Sequence, residues 1–191
     1  MRFNVKGQAV GTGIDVPVGS SSADVVFVID RVMHYHVDML RAVEEGLAAY
    51  GLTFAVLSAL DAAGAVGRVA TTEKAAANHR HFRLSEIALG RFMLRFQHGM
   101  VTMLKEVRPR VVISTCHSGT VSEWAALAWA RRSGVRMVAW QCGYEYNPGR
   151  IKRAALSAFI PRFDFHLCYH SNAKSYALQR SEEHTSELQS L

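Results

Sequence analysis

Three cysteines in 191 residues, spaced 26 apart at Cys116, Cys142 and Cys168, are too few and too scattered for the disulfide framework of a small secreted domain. A reducing cytoplasm is therefore the expected setting. Unbroken apolar runs such as Val25 to Ile29 cover only a few residues, against the roughly 20 that a membrane-spanning helix needs. The first thirty residues also lack the basic start, apolar centre and small-residue cleavage site of a secretory signal.

Several chemical signatures are missing as well. No Gly-x-Gly-x-x-Gly joins a strand to a helix, since Gly11-x-Gly13 precedes the first strand, and no Walker lysine pattern occurs; a dinucleotide fingerprint and a P-loop are excluded. Ser118 has no glycine two residues before it, so the Gly-x-Ser-x-Gly nucleophile elbow is absent. Closely paired cysteines and helical His-x-x-x-His spacing do not occur, which argues against a zinc site; no metal is expected. The cysteines read as small buried apolar groups.

What is present is the composition of a folded chain: 49% apolar and 20% charged residues, enough to bury one core. The formal net charge is +6. Residues 180–191 read as a non-native tail, because Arg180-Ser-Glu-Glu-His-Thr-Ser-Glu-Leu-Gln-Ser190 resembles a translated sequencing-adapter oligonucleotide. Setting the tail aside leaves 21 basic and 13 acidic residues and a net charge of +8 in residues 1–179, which are then a fragment of a longer protein. Residues 1–22, glycine- and serine-rich without period, read as a loose leader.

From Ala23 the pattern is that of an α/β chain. Val25–Ile29 is a β-branched run of strand length, Val37, Leu40, Val43, Leu47 and Tyr50 recur at helical spacing before Gly51, and Phe54–Ser58 is a second strand. His79–Leu84 alternates as an edge strand would. Leu89, Met93, Phe96, Met100, Met103 and Val107 mark one face of an expected long helix ended by Pro109, with Arg91, Arg95, His98 and Lys105 opposite. The second half repeats a strand–helix unit. Strands are expected at Val111–His117, Val135–Gln141 and Phe163–Tyr169, and helices at Ser118–Arg132, with Val121, Trp124, Ala125 and Ala128 inward, at Arg150–Phe159 and from Asn172. The prediction is a Rossmann-like parallel sheet over residues 23–179, with helices on both faces.

In such a sheet, ligands sit outside the carboxyl ends of the strands, near helix N-termini. That rule selects Arg31–His36, Cys116–Thr120, Gln141–Gly149 and Tyr169–Asn172. His117-Ser-Gly-Thr120 is the sharpest: the imidazole of His117 is suited to donate to a sugar hydroxyl or exchange a proton near neutral pH. The alternative is a plain helix cap by Ser118 or Thr120. His34-Tyr-His36 and Cys168-Tyr-His170 pair metal-capable side chains, yet supply too few ligands for zinc. The basic faces around Arg91–Lys105 and Arg150–Arg162 suit either solvent or peripheral contact with an anionic membrane. With no reader motif or stacking platform, no nucleic-acid partner is expected.

The run from Asp24 to Leu178 resembles the amino-terminal domain of bacterial glycosyltransferases of the two-Rossmann-domain GT-B architecture, family four type. The likeness rests mainly on Trp140-Gln-Cys-Gly-Tyr-Glu-Tyr-Asn-Pro-Gly-Arg150 and Phe163-Asp-x-x-Leu-x-Tyr-His-x-x-Ala-x-x-Tyr-Ala-Leu178, and covers about 155 residues. It implies an enzyme that transfers a hexosyl-type sugar from a nucleotide sugar to a hydroxyl of a glycan or lipid-linked acceptor, without a metal or other cofactor; the expected location is cytoplasmic, with the basic faces allowing contact at the inner face of the membrane. His117 matches a histidine that faces the transferred sugar. His34, His36, Ser118, Gly119, Gln141, Gly143, Tyr144 and Glu145 fall at positions that would line the substrate. Two departures stand out: Gln141-Cys-Gly143 keeps the glycine of a usual His-Gly pair without its histidine, and Arg31–His36 replaces a glycine pair. The resemblance implies that the fragment alone is inactive. A nucleotide-sugar epimerase of similar shape and a non-catalytic flavodoxin-like binding domain are the alternatives.

Overall fold

The computed structural model describes residues 22–59, 74–89, 92–141, 149–168 and 171–179. Residues 1–21, 60–73, 90–91, 142–148, 169–170 and 180–191 lie outside the described residues, so the expectations for Arg91, Cys142, Gly143, Tyr144, Glu145, Tyr169 and His170 fall outside them too.

The fold is α/β and Rossmann-like. Seven strands, β1 (Val25–Ile29), β2 (Phe54–Ala59), β3 (Asn78–Leu89), β4 (Phe92–His98), β5 (Val111–Ser114), β6 (Arg136–Gln141) and β7 (Phe165–Cys168), form one sheet in the order β4-β3-β2-β1-β5-β6-β7. All neighbours pair in parallel except β3 and β4. Helix α1 (His34–Ala48) covers one face. Helices α2 (Met100–Val107), α3 (Val121–Ser133) and α4 (Arg150–Phe159) cover the other. A further helical stretch at 171–179 buries Ala173 and Ala177.

Alternation along the strands builds the two cores. Val26 and Val28 of β1 join Ala55 and Leu57 of β2 and the α2–α4 side chains Leu104, Leu127 and Phe159 on one side. Val25, Phe27 and Ile29 join Val56, Val37 and Leu40 on the other. Because β1 and β2 are buried on both faces, they read as continuous apolar runs, as central parallel strands should.

Three expectations are corrected. The long helix at 89–107 is instead the antiparallel hairpin β3–β4 followed by the short α2, which opens at Gly99, a residue in the left-handed region at φ 82°. The inward face of α3 is Glu123, Ala126, Leu127 and Ala130, whereas Ala125 and Ala128 are exposed and Val121 is 40% exposed. Trp124 is partly buried, packed against Phe159. Tyr50, expected on the apolar stripe of α1, lies beyond its end and is exposed.

The hairpin has an unusual reach. The first half of β3, to Phe82, pairs with β2, while the second half, from Arg83, pairs only with β4. The strand therefore overhangs the carboxyl edge of the sheet and curls back towards α3, where Arg95 of β4 bridges in parallel to Thr120.

At the opposite border, the side chain of Asp164, just before β7, adds to the backbone ladder that pairs β7 with β6. Asp164 accepts the Met137 amide at 2.8 Å and the Arg136 guanidinium at 2.9 Å. Asp164→Ala should lower stability by about 1 kcal/mol, the usual net worth of such a bond, read as a shift of the urea midpoint with unchanged slope.

Candidate functional site at the switch point

Strand order reverses direction at β1: the chain runs to β2 and β3 on one side and later to β5, β6 and β7 on the other. The carboxyl ends of β1 and β5 thus flank the crevice in which open α/β sheets bind ligands. Asp30 and Arg31 follow β1; Thr115, Cys116 and His117 follow β5.

The crevice is filled with charge. Asp30, 9% exposed, accepts the Gln97 amide at 2.7 Å and pairs with Arg95 at 3.2 Å. Arg95 also donates from Nε to Glu86 at 3.1 Å, and Glu86 lies 3.6 Å from Arg31. Two strands of the overhanging hairpin therefore bring Glu86, Arg95 and Gln97 onto the end of β1. Arg95 and His98, expected on a solvent-facing helix side, are engaged instead: Arg95 here, and His98 with Ser85 at 2.9 Å.

Beneath the hairpin, the β5–α3 loop is fixed by a side chain that sequence reasoning missed. Glu123, in the first turn of α3 and 1% exposed, accepts the His117 amide at 2.9 Å and the Thr115 hydroxyl at 3.4 Å. Burial, with the negative charge of Asp30 adding to it, pushes this carboxyl up to about 8 against its hydrogen bonds. It is neutral at pH 7. Thr120 occupies the N-cap position without a side-chain cap bond, so the cap expected there is not made, and Glu123 reaches back from the first turn to the loop amide of His117. The Trp124 indole donates to the Ser118 carbonyl at 2.9 Å. Cys116 takes a left-handed φ of 56°, a strain that non-glycine residues accept mainly where surroundings over-determine them.

The residues chosen from sequence are distributed around this loop and its neighbours. His117 is exposed at the carboxyl rim. Gly119 abuts β4: its carbonyl accepts the Arg95 amide at 3.0 Å, and a Cβ there would lie 2.6 Å from the Met93 carbonyl oxygen. His34 and His36 lie in the first turn of α1 and not in a loop; His34 is exposed, while His36 accepts the Met33 amide on Nδ1 at 3.2 Å. The His36 ring sits 5.6 Å from that of Trp140, next to Gln141. Gln141 is buried at the end of β6 and bonds the His166 ring at 3.1 Å. The Gln141 Nε2 can only donate, so His166 Nδ1 accepts, and burial holds His166 below the ordinary histidine range.

A second polar cluster, at the end of β2, is closed to chemistry. The Ala75 amide donates to His79 Nδ1 at 3.2 Å, so the proton of the neutral ring is on Nε2, which donates to Ser58 at 2.9 Å. Burial pushes His79 down to about 4. His79 therefore holds the wrong tautomer to take a proton from Ser58, and Ser58 is 1% exposed. Among the described residues no group of three or more His, Cys, Asp or Glu could hold a metal, and no helix is long and apolar enough to cross a membrane.

No protein-family model, curated protein or solved structure matches this chain.

Proposed function

We propose that the chain is the acceptor-binding half of a nucleotide-sugar-dependent glycosyltransferase, transferring a hexosyl-type sugar to an acceptor hydroxyl, with the donor nucleotide gripped by a second domain. The observation that carries this reading is the exposed imidazole of His117 at the switch point of a Rossmann-like sheet, on a loop whose backbone is clamped by a buried, neutral carboxyl. A rigid backbone lets an imidazole hold a hydrogen bond to one hydroxyl of the transferred sugar in a fixed direction. The basic face of α4 supports a peripheral position on an anionic membrane: Arg150 and Arg153 are exposed around Ile151, itself 73% exposed.

In a protein that carries both domains, His117→Ala should lower turnover more than tenfold while the melting curve is kept; unchanged turnover removes His117 from the reaction. Calorimetric titration of this chain with nucleotide sugars should give weak binding or none, and tight metal-independent binding would rule out a donor site in a separate domain.

One observation favours a second reading, a binding domain without catalysis. The hairpin brings Arg95 and Gln97 over the end of β1, where both bond Asp30. Failure of the two-domain protein to transfer sugar to any acceptor, with binding retained, would select that reading.

A further inference from the structure

We infer that Arg31 and Arg95 form a binding site for a phosphate monoester, and that in the empty chain the Glu86 carboxylate occupies it. The inference concerns binding and stands whether or not the chain transfers sugar.

Three observations lead to it. Two guanidiniums from separate elements, one after β1 and one on β4, converge on a single carboxylate at the switch point. That carboxylate bonds Arg95 at 3.1 Å but serves Arg31 poorly, at 3.6 Å. The Nε of Arg31 is buried with no hydrogen-bond acceptor among the described residues. Buried guanidinium donors are nearly always paired, because an unmade bond to a charged group costs its full desolvation. Among the described residues, Arg31 Nε has no acceptor at the place where this fold takes its ligands.

The two acids of the cluster differ in how easily they leave. Asp30 is anchored by Gln97 and Arg95 and is 9% exposed. Glu86 sits on the overhanging part of β3, its side chain 30% exposed, where it turns into water with little loss. Its departure frees Arg95 Nε and all of Arg31 for a shared ligand. A carboxylate offers two oxygens in one plane; a phosphate monoester offers three in a tetrahedron and nearly twice the charge, enough to reach Arg31 Nε as well as the donors that Glu86 touches. Phosphate is the better occupant.

The test is titration of the whole chain with inorganic phosphate at constant ionic strength, followed through the arginine Nε–H resonances. Saturable binding is expected in the wild type. Glu86→Gln should bind about tenfold more tightly, since a competing charge within contact distance is removed. Arg31→Gln should lose binding while circular dichroism is unchanged. If Arg31→Gln does not fold, Arg31→Lys carries the test: it keeps the charge, loses the fork and should bind at least about fivefold more weakly. Equal affinity of Glu86→Gln and wild type, or undiminished affinity of the Arg31 variant, overturns the site, as does the absence of saturable binding. Glycerol 3-phosphate in one arm and phosphatidic acid in phosphatidylcholine vesicles in the other separate a soluble from a lipid carrier. Arg31-dependent binding in either arm supports the site, and the tighter arm identifies the carrier.

Discussion

Glu123→Gln should make the folded chain more stable above pH 8 and flatten its stability profile between about pH 5 and pH 8. In the wild type, burial raises the Glu123 carboxyl from 4.5 to about 8. Between those values the folded chain keeps a proton that the unfolded chain has released, so stability is fully present below 4.5 and falls as pH rises, reaching its floor above 8. The loss is on the order of a few kcal/mol, since each pH unit across the window is worth about 1.4 kcal/mol. Glutamine has the same shape and no charge to bury. Its carbonyl still accepts the His117 amide, and its amide group faces the oxygens of Thr115 and Ser114 that border the carboxyl. Urea unfolding at pH 5, 7 and 9 checks this: the wild-type midpoint should fall across the series while that of the variant stays nearly level. Parallel curves would mean that Glu123 is charged in the folded state and that the loop is clamped by an ion, not by an acid.

The same residue explains part of what was hidden in the sequence. The α3 stripe was legible as a helix, yet its phase was read from Val121, Trp124, Ala125 and Ala128 because a glutamate is rarely inward. With Glu123 counted as a core position, Glu123, Ala126, Leu127 and Ala130 complete the buried face at the correct spacing. The strands were legible for a simpler reason. Val25–Ile29 and Phe54–Ala59 are buried on both faces, Met137–Ala139 likewise within β6, and glycine stops such as Gly51 and Gly134, both with positive φ, border them.

The hairpin is hidden from pattern reading because Leu89, Met93, Phe96 and Met100 satisfy a helical period by coincidence. Two signals argue the other way: Gly90 would fall inside that helix, and Gly99 supplies a left-handed turn just where the short α2 begins. What defeats pattern reading in β4 is polarity. Arg95 and Gln97 are the inward residues there, drawn in by Asp30, so the apolar-in rule is reversed at the place where the charged cluster forms. His117, Gly119 and Gln141 were found from the carboxyl-end rule, which needs only strand boundaries. Glu86 and Arg95 are not found that way, because their proximity to β1 depends on the curl of the overhanging hairpin, and Glu123 is not, because an acidic residue in a first helical turn ordinarily faces water.

Gly119→Val should detach that hairpin. A Cβ at position 119 meets the Met93 carbonyl oxygen at 2.6 Å, and the obstruction is backbone, which cannot turn aside as a flexible side chain would. The glycine is required for approach, not for φ, so even alanine is a test. Displacing β4 by the ångström or so that a valine demands breaks the Arg95 amide bond to the Gly119 carbonyl and the Gln97 amide bond to Ser122. Those two bonds aim the Arg95 and Gln97 side chains at Asp30. Once they fail, Asp30 is left as a buried carboxylate short of partners, which is the costly way to break such a pair. The expected loss is about 3 kcal/mol for valine and less for alanine. Its distribution is the sharper criterion. Amide exchange should accelerate at Arg95 and Gln97 while Val112 and Val138, in the central strands β5 and β6, keep their protection, because the sheet from β2 to β7 does not depend on the overhang. Uniform acceleration across the sheet would show that β4 is integral to the fold and not a cover over its switch point; unchanged exchange at Arg95 would show that the loop yields in its place.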